Sequence, residues 1–178
     1  SAGLHGSRGA RRIFRAMSPF SAAEHAARYL KIERDLALAL GRARSLTAAL
    51  DAVLDAALLL GDVDSGGVYV FDEGGNLVLV THRGLGSAFV ERNRFVGADD
   101  PRVAVVRAGT PIFSTYEQIG SARQAAIAGA GEGLCALGVV PVRDGDETVA
   151  VLNVASHHVH EIASTEADAL VAIASRIG

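Results

Sequence analysis

The segment Asp64-Ser-Gly-Gly-Val-Tyr-Val-Phe-Asp72 reads as a β-strand over about residues 66–72. A short β-branched and aromatic run stands between two acidic residues, with a glycine pair at its start. Two further runs share this form: Gly133-Leu-Cys-Ala-Leu-Gly-Val-Val-Pro-Val142 and Ala150-Val-Leu-Asn-Val-Ala-Ser156. Each strand-like run sits between stretches with helical periodicity. Glu73-Gly-Gly-Asn76 is a hairpin turn joining the first strand to a second at Leu77 to His82. Arg143-Asp-Gly-Asp146 joins the strand ending at Val142 to one over Thr148 to Ser156. Strands and helices in one chain place it in the α/β class.

The helices can be read outward from these strands. Ser21 with Glu24 forms a capping box for a helix over 21–43. Its apolar stripe, Tyr29, Ile32, Leu36 and Leu40, is narrow, the form of a coiled-coil seam, and predicts parallel dimerisation. Ser45 caps a second helix. The wider stripe Leu46, Leu50, Val53, Leu54, Ala57 and Leu58 suits packing on a sheet, and Gly61 ends it. Residues 86–108 read as short helices. Asp99-Asp100 before Pro101 is a cap rather than an acid–base pair. Ile112-Phe113-Ser114 is a short strand. Residues 115–132 are glycine-rich and read as a mobile loop with one helical turn, the gate of any pocket. Ser164-Thr-Glu-Ala-Asp168 opens a last helix with apolar Leu170, Val171, Ile173, Ala174 and Ile177.

The chain has 178 residues and is 49% hydrophobic, enough for one full core. No run approaches the roughly 18 apolar residues of a membrane span, and no signal-peptide order stands at the start. A lone Cys135 excludes an internal disulfide framework and suits a reducing cytoplasm. Residues 1–44 hold nine Arg/Lys and three Asp/Glu, a balance of +6, while the remainder balances at −9. An acidic body repels polyanions, so no nucleic-acid partner is expected. Three sections follow: 1–20 as a disordered leader or upstream remnant, 21–44 as a linker and dimerisation helix, and 45–178 as the domain. A helix that runs to the final residues suggests an excised part of a longer protein.

The order helix, helix, hairpin, short helices, strand, loop, hairpin, helix resembles a GAF domain, the sensory module of bacterial signalling proteins. The likeness covers about residues 33–178. It rests on residues 64–72, Arg83-Gly-Leu85, Gly109-Thr-Pro111, Val139-Val-Pro141, Val151-Leu-Asn-Val-Ala-Ser156 and the acidic start of the last helix. The resemblance implies a central antiparallel sheet of five to six strands. Terminal helices would lie on one face and take part in dimerisation. Short helices and loops would cover a small-molecule pocket on the other. It also implies a cytoplasmic regulatory domain, not an enzyme, within a sensor kinase, two-component or transcription-regulating protein. The competing readings are a ligand-free dimerisation spacer, whose own side chains fill the pocket, and a thiol- or metal-dependent GAF-like enzyme using Cys135 or the histidine cluster. Partners would be a second copy through helix 21–43 and the C-terminal helix, a small organic ligand, and an output domain in the full-length chain.

Tyr69-Val-Phe71 and Ala155-Ser-His-His158 look like the Tyr-Arg-Phe and Ala-Cys-His-His of bilin-binding phytochromes. That likeness turns Tyr69, Phe71, Asn153 and His157 toward the pocket, joined by Phe113 and Tyr116. No cysteine lies in 115–132 to hold a bilin, and no Asp-Ile-Pro motif is present. The cyclic-nucleotide signature Asn-Lys-Phe-Asp-Glu is also missing, Lys31 being the sole lysine. Neither ligand is expected, and the ligand's identity stays open.

Other chemistry-bearing residues have plainer readings. His157, His158 and His160, with Cys135 or His82, have the right types for a metal site but read as a solvated strand end. Cys135 sits in an apolar run with no cationic neighbour and reads as a small core residue. Gly129-Ala-Gly131-Glu-Gly133 precedes a strand, whereas phosphate loops precede a helix. No catalytic or metal-ligating residue is assigned.

Overall fold

The computed structural model describes residues 19–119 and 132–178. The proposed leader 1–20, apart from its last two residues, and most of the proposed gate lie outside the described residues. The elements run α1 (Pro19–Arg42), α2 (Leu46–Leu58), β1 (Ser65–Phe71), β2 (Leu77–Arg83), α3 (Ser87–Asn93) and β3 (Phe95–Val96). They continue α4 (Pro101–Arg107), β4 (Ile112–Thr115), α5 (Tyr116–Ile119), β5 (Ala136–Asp144), β6 (Glu147–Ser156) and α6 (Ser164–Ala174).

Local chemistry sets several boundaries. Ser45 Oγ accepts from the Ala48 amide at 3.1 Å and starts α2. Gly61, with φ +119°, turns the chain away after α2. Asp100 accepts from the Arg102 amide at 2.9 Å and caps α4, with Pro101 in its first turn. α1 begins at Pro19, so Ser21 lies inside the helix rather than at its cap.

The six strands form one antiparallel sheet in the order β3-β2-β1-β6-β5-β4. The hairpins β1–β2 and β5–β6 are joined through β1 against β6, with Gly67 opposite Asn153 and Tyr69 opposite Val151. The two-residue β3, not foreseen in the sequence, adds the edge strand beside β2.

Strand alternation divides the core in two. On one face Val68, Val140, Leu152 and Val154 pack against Leu50, Leu54, Leu170 and Ile173 of α2 and α6. On the other, Tyr69, Leu77 and Val151 meet Val103 and Val106 of α4. Asp51 of α2 accepts from Thr81 Oγ1 at 2.5 Å and pairs with Arg83 at 3.0 Å, tying the helix layer to β2.

α1 corrects the seam expected of it. Ile32 and Leu36 are only 5% and 3% exposed and belong to the helix-side core, with Leu40 packed beside them. Arg176, just past α6, pairs with Glu33 of α1. The narrow stripe is therefore satisfied within the chain. A helix lying on other helices, rather than on a sheet, needs only a narrow stripe. Among the described residues of α1, the large apolar side chains left exposed are Leu30 and Leu38.

Candidate functional site

Between the sheet and α3–α4 lies a cavity of about 370 Å³, within the range of small-molecule sites. Gly66, Gly67 and Tyr69 of β1 and Asn153 of β6 form its floor, continued by Leu137 and Val139 of β5. Ile112 of β4 and Tyr116 of α5 stand at one side. Phe89 and Asn93 of α3, with Arg102, Val105 and Val106 of α4, form the roof.

The walls are chiefly apolar, so the few polar groups carry the chemistry. Asn153 Oδ1 is buried and has no hydrogen-bond partner among the described residues. A buried carbonyl left unpaired is costly and calls for an explanation. Burial pushes the phenols of Tyr69 and Tyr116 up to about 12, the Arg102 charge opposing the effect at Tyr69 and Tyr69 adding to it at Tyr116. Both hydroxyls are therefore neutral at physiological pH and able to donate. Arg102 is the cation of the lining, and Asp100 holds it through Nη2–Oδ2 at 2.8 Å and Nε–Oδ1 at 3.0 Å. Its Nη1 also reaches Asn93 Oδ1 at 3.4 Å.

A second cavity, about 460 Å³, lies between α1 and the start of α6. Its polar groups already serve structural bonds. Arg28 donates to the Leu59 carbonyl, and Glu166 accepts from the Asp62 amide at 2.6 Å. The cavity over the sheet, with its unpaired carbonyl, is the better candidate for a ligand.

Of the residues expected there, the structure brings together Tyr69, Tyr116 and Asn153. The other three lie elsewhere. Phe71 shares Tyr69's face but sits beyond the cavity, where the Arg107 guanidinium lies 4.4 Å from its ring centre. Phe113 points to the helix side, packed against the core there. Its register partner Gly138 leaves the space its ring fills, so alternation sends Ile112, not Phe113, into the cavity. His157 follows the end of β6, where alternation stops. Asp64 takes its backbone amide at 2.9 Å and its Nδ1 at 2.6 Å. Burial alone would raise the Asp64 carboxyl, but these bonds from His157 hold it below its ordinary value.

Sequence reasoning missed Asn93, Arg102, Ile112 and Leu137. Asn93 stands between Arg92 and Arg94, so nothing in its local sequence marks it as a cavity residue. The glycine pair in β1 was the usable signal, since an interior strand glycine marks close approach. No group of three metal-ligating side chains forms among the described residues. Cys135 Sγ lies 3.6 Å from both the Gly133 and His157 carbonyls.

The GAF-domain family model matches residues 43–178. The chain belongs to the GAF-domain family. Among solved structures, this GAF domain is similar to a domain of a putative two-component sensor histidine kinase from Sinorhizobium meliloti 1021. The two are 23% identical over 76% of this chain and 90% of that one, with TM-score 0.64. It is also similar to the GAF domain of a phosphoenolpyruvate-protein phosphotransferase from Coxiella burnetii, at 20% identity over 85% and 91% of the two chains, with TM-score 0.67. The chromophore-binding domain of Stigmatella aurantiaca bacteriophytochrome matches at 14% identity over 92% of this chain and 60% of that one, with TM-score 0.64. At these identities the likeness is one of fold. No curated protein matches the chain. Among the described residues, no helix is long and apolar enough to cross a membrane.

Proposed function

We propose that this GAF domain is a small-molecule-sensing regulatory module of a cytoplasmic signalling protein. The observation that carries the reading is the cavity of about 370 Å³ holding a buried Asn153 carbonyl without a hydrogen-bond partner among the described residues. A buried carbonyl in that state calls for a partner, and a species bound in the cavity supplies one. The domain acts by binding rather than chemistry: occupancy favours one arrangement of its helices over another. The route to an output domain in the full-length chain runs through α1 and α6. They are joined at Glu33–Arg176, and α1 offers exposed Leu30 and Leu38 to a second copy. A two-component sensor or a transcription regulator is the setting that suits such a module.

Hydrogen exchange tests the reading. The domain is compared before and after equilibration with a small-molecule extract of its source cells. Slower exchange in β1, β6 and α4, with altered exchange in α1 or α6, supports a sensor. Slower exchange confined to the cavity shows a site without transmission. Identical exchange throughout sinks the proposal.

A further inference from the structure

The lining of the cavity says what kind of molecule would complete it. Among the described residues no carboxylate and no free cation line it, since Asp100 holds Arg102 on two atoms. A cation would lose its water there and find no carboxylate, and an anion would find only the Arg102 guanidinium, whose charge Asp100 already offsets. The sites left open are neutral. Asn153 Oδ1 needs a donor. The hydroxyls of Tyr69 and Tyr116 form no hydrogen bond to another described residue, and each can donate to an acceptor.

The floor adds shape. Gly66 has a backbone reason for lacking a side chain, because a Cβ there would come within 2.4 Å of the Asn153 carbonyl oxygen. Gly67 follows it directly opposite Asn153. A Cβ on Gly67 would fall 2.7 Å from Leu79 Cδ1, so an aliphatic side chain takes the space beside that glycine. Phe89 and Val105 close the space from above.

Resting on the reading of this cavity as a ligand site, we propose that its ligand is an uncharged, largely apolar molecule with a lactam-like edge. An N–H on that edge donates to Asn153 Oδ1, and the neighbouring carbonyl accepts from a tyrosine hydroxyl.

The test uses three probes of nearly equal size on the intact domain: 2-quinolone, its N-methyl derivative and quinoline-2-carboxylate. Titrations followed by amide NMR give both the dissociation constant and the place of binding. The expected result is binding of 2-quinolone at the Gly67, Asn93 and Asn153 amides. The N-methyl compound and the carboxylate should each bind roughly tenfold to a hundredfold more weakly, the cost of leaving the Asn153 carbonyl unpaired or a charge unmatched. In Asn153→Ala the preference for N–H over N-methyl should disappear. That side chain's carbonyl has no partner to lose among the described residues, so the variant should fold, and the probe comparison on the parent stands without it. Equal affinity for the N-methyl compound, tighter binding of the carboxylate, or a retained N–H preference in the variant each overturns the proposal. Binding of any of these probes at the cavity amides leaves the sensor reading intact. No response of the cavity amides to any of the three also overturns the ligand class. The broader reading falls only if the cell extract gives no bound species either.

Discussion

Asp64 holds His157 at two points, accepting from its backbone amide at 2.9 Å and meeting its Nδ1 at 2.6 Å. The contact joins the chain just before β1 to the chain just after β6, across 93 positions of sequence. It fastens the central strand pair at the end nearest the cavity. His158 Nε2 stands 3.6 Å from the same carboxylate.

The sign of its pH dependence follows from the depressed Asp64 carboxyl. A carboxyl below its ordinary value of 3.8 stabilises the fold above that value, and the contribution is lost as pH falls through it toward the folded value. Asp64→Asn should cost about 1–2 kcal/mol at pH 7, the worth of charge-assisted bonds that are partly solvated. Near pH 3 the difference from the parent should shrink. Urea unfolding of both proteins at the two pH values checks this. A cost that is the same at both would show that the charge plays no part.

The packing of α1 gives a contrast between two leucines two positions apart. Leu36 is 3% exposed and Leu38 is 52% exposed. Leu36→Ala should lower stability by about 2–5 kcal/mol through the lost contacts and the cavity left behind. Leu38→Asp should change monomer stability by no more than about 0.5 kcal/mol. It should, however, lower the sedimenting mass if α1 pairs with a second copy. Thermal unfolding and sedimentation of both variants separate the roles. Equal destabilisation by the two would contradict the placement of α1.

Gly138 and Phe113 should behave as a coupled pair. A Cβ at Gly138 would fall 2.9 Å from both the Phe113 ring and Val154 Cγ2. Gly138→Ala should cost about 1–3 kcal/mol by overpacking, and Phe113→Leu should recover part of that cost in the double variant. A double-mutant cycle measures the coupling. Strict additivity would mean that the ring does not depend on the missing side chain.

Much of this fold can be read from the sequence because its periods are clean. Val68 and Val70 alternate with Tyr69 and Phe71, and the turn at 73–76 carries its own glycines, so β1 and β2 declare themselves. Asp100 and Ser45 cap helices as their positions imply. The site is harder to read, because alternation tells that Ile112 and Phe113 face opposite ways but not which faces the helices. Gly138, 25 positions later, decides it through strand pairing. His157 is claimed by Asp64 from far along the chain, and Ile32 and Leu36 by α2 and α6. Long-range partners of this kind leave no local signal.

The cavity over the sheet is proposed to hold a small molecule. Native mass spectrometry tests it most directly, on the domain equilibrated with an extract of its source cells and on a Leu137→Trp variant whose indole would fill that space. A one-to-one adduct on the parent that is lost from the folded variant is the predicted result. A parent with no adduct, or an adduct equally abundant on the filled variant, would contradict the account.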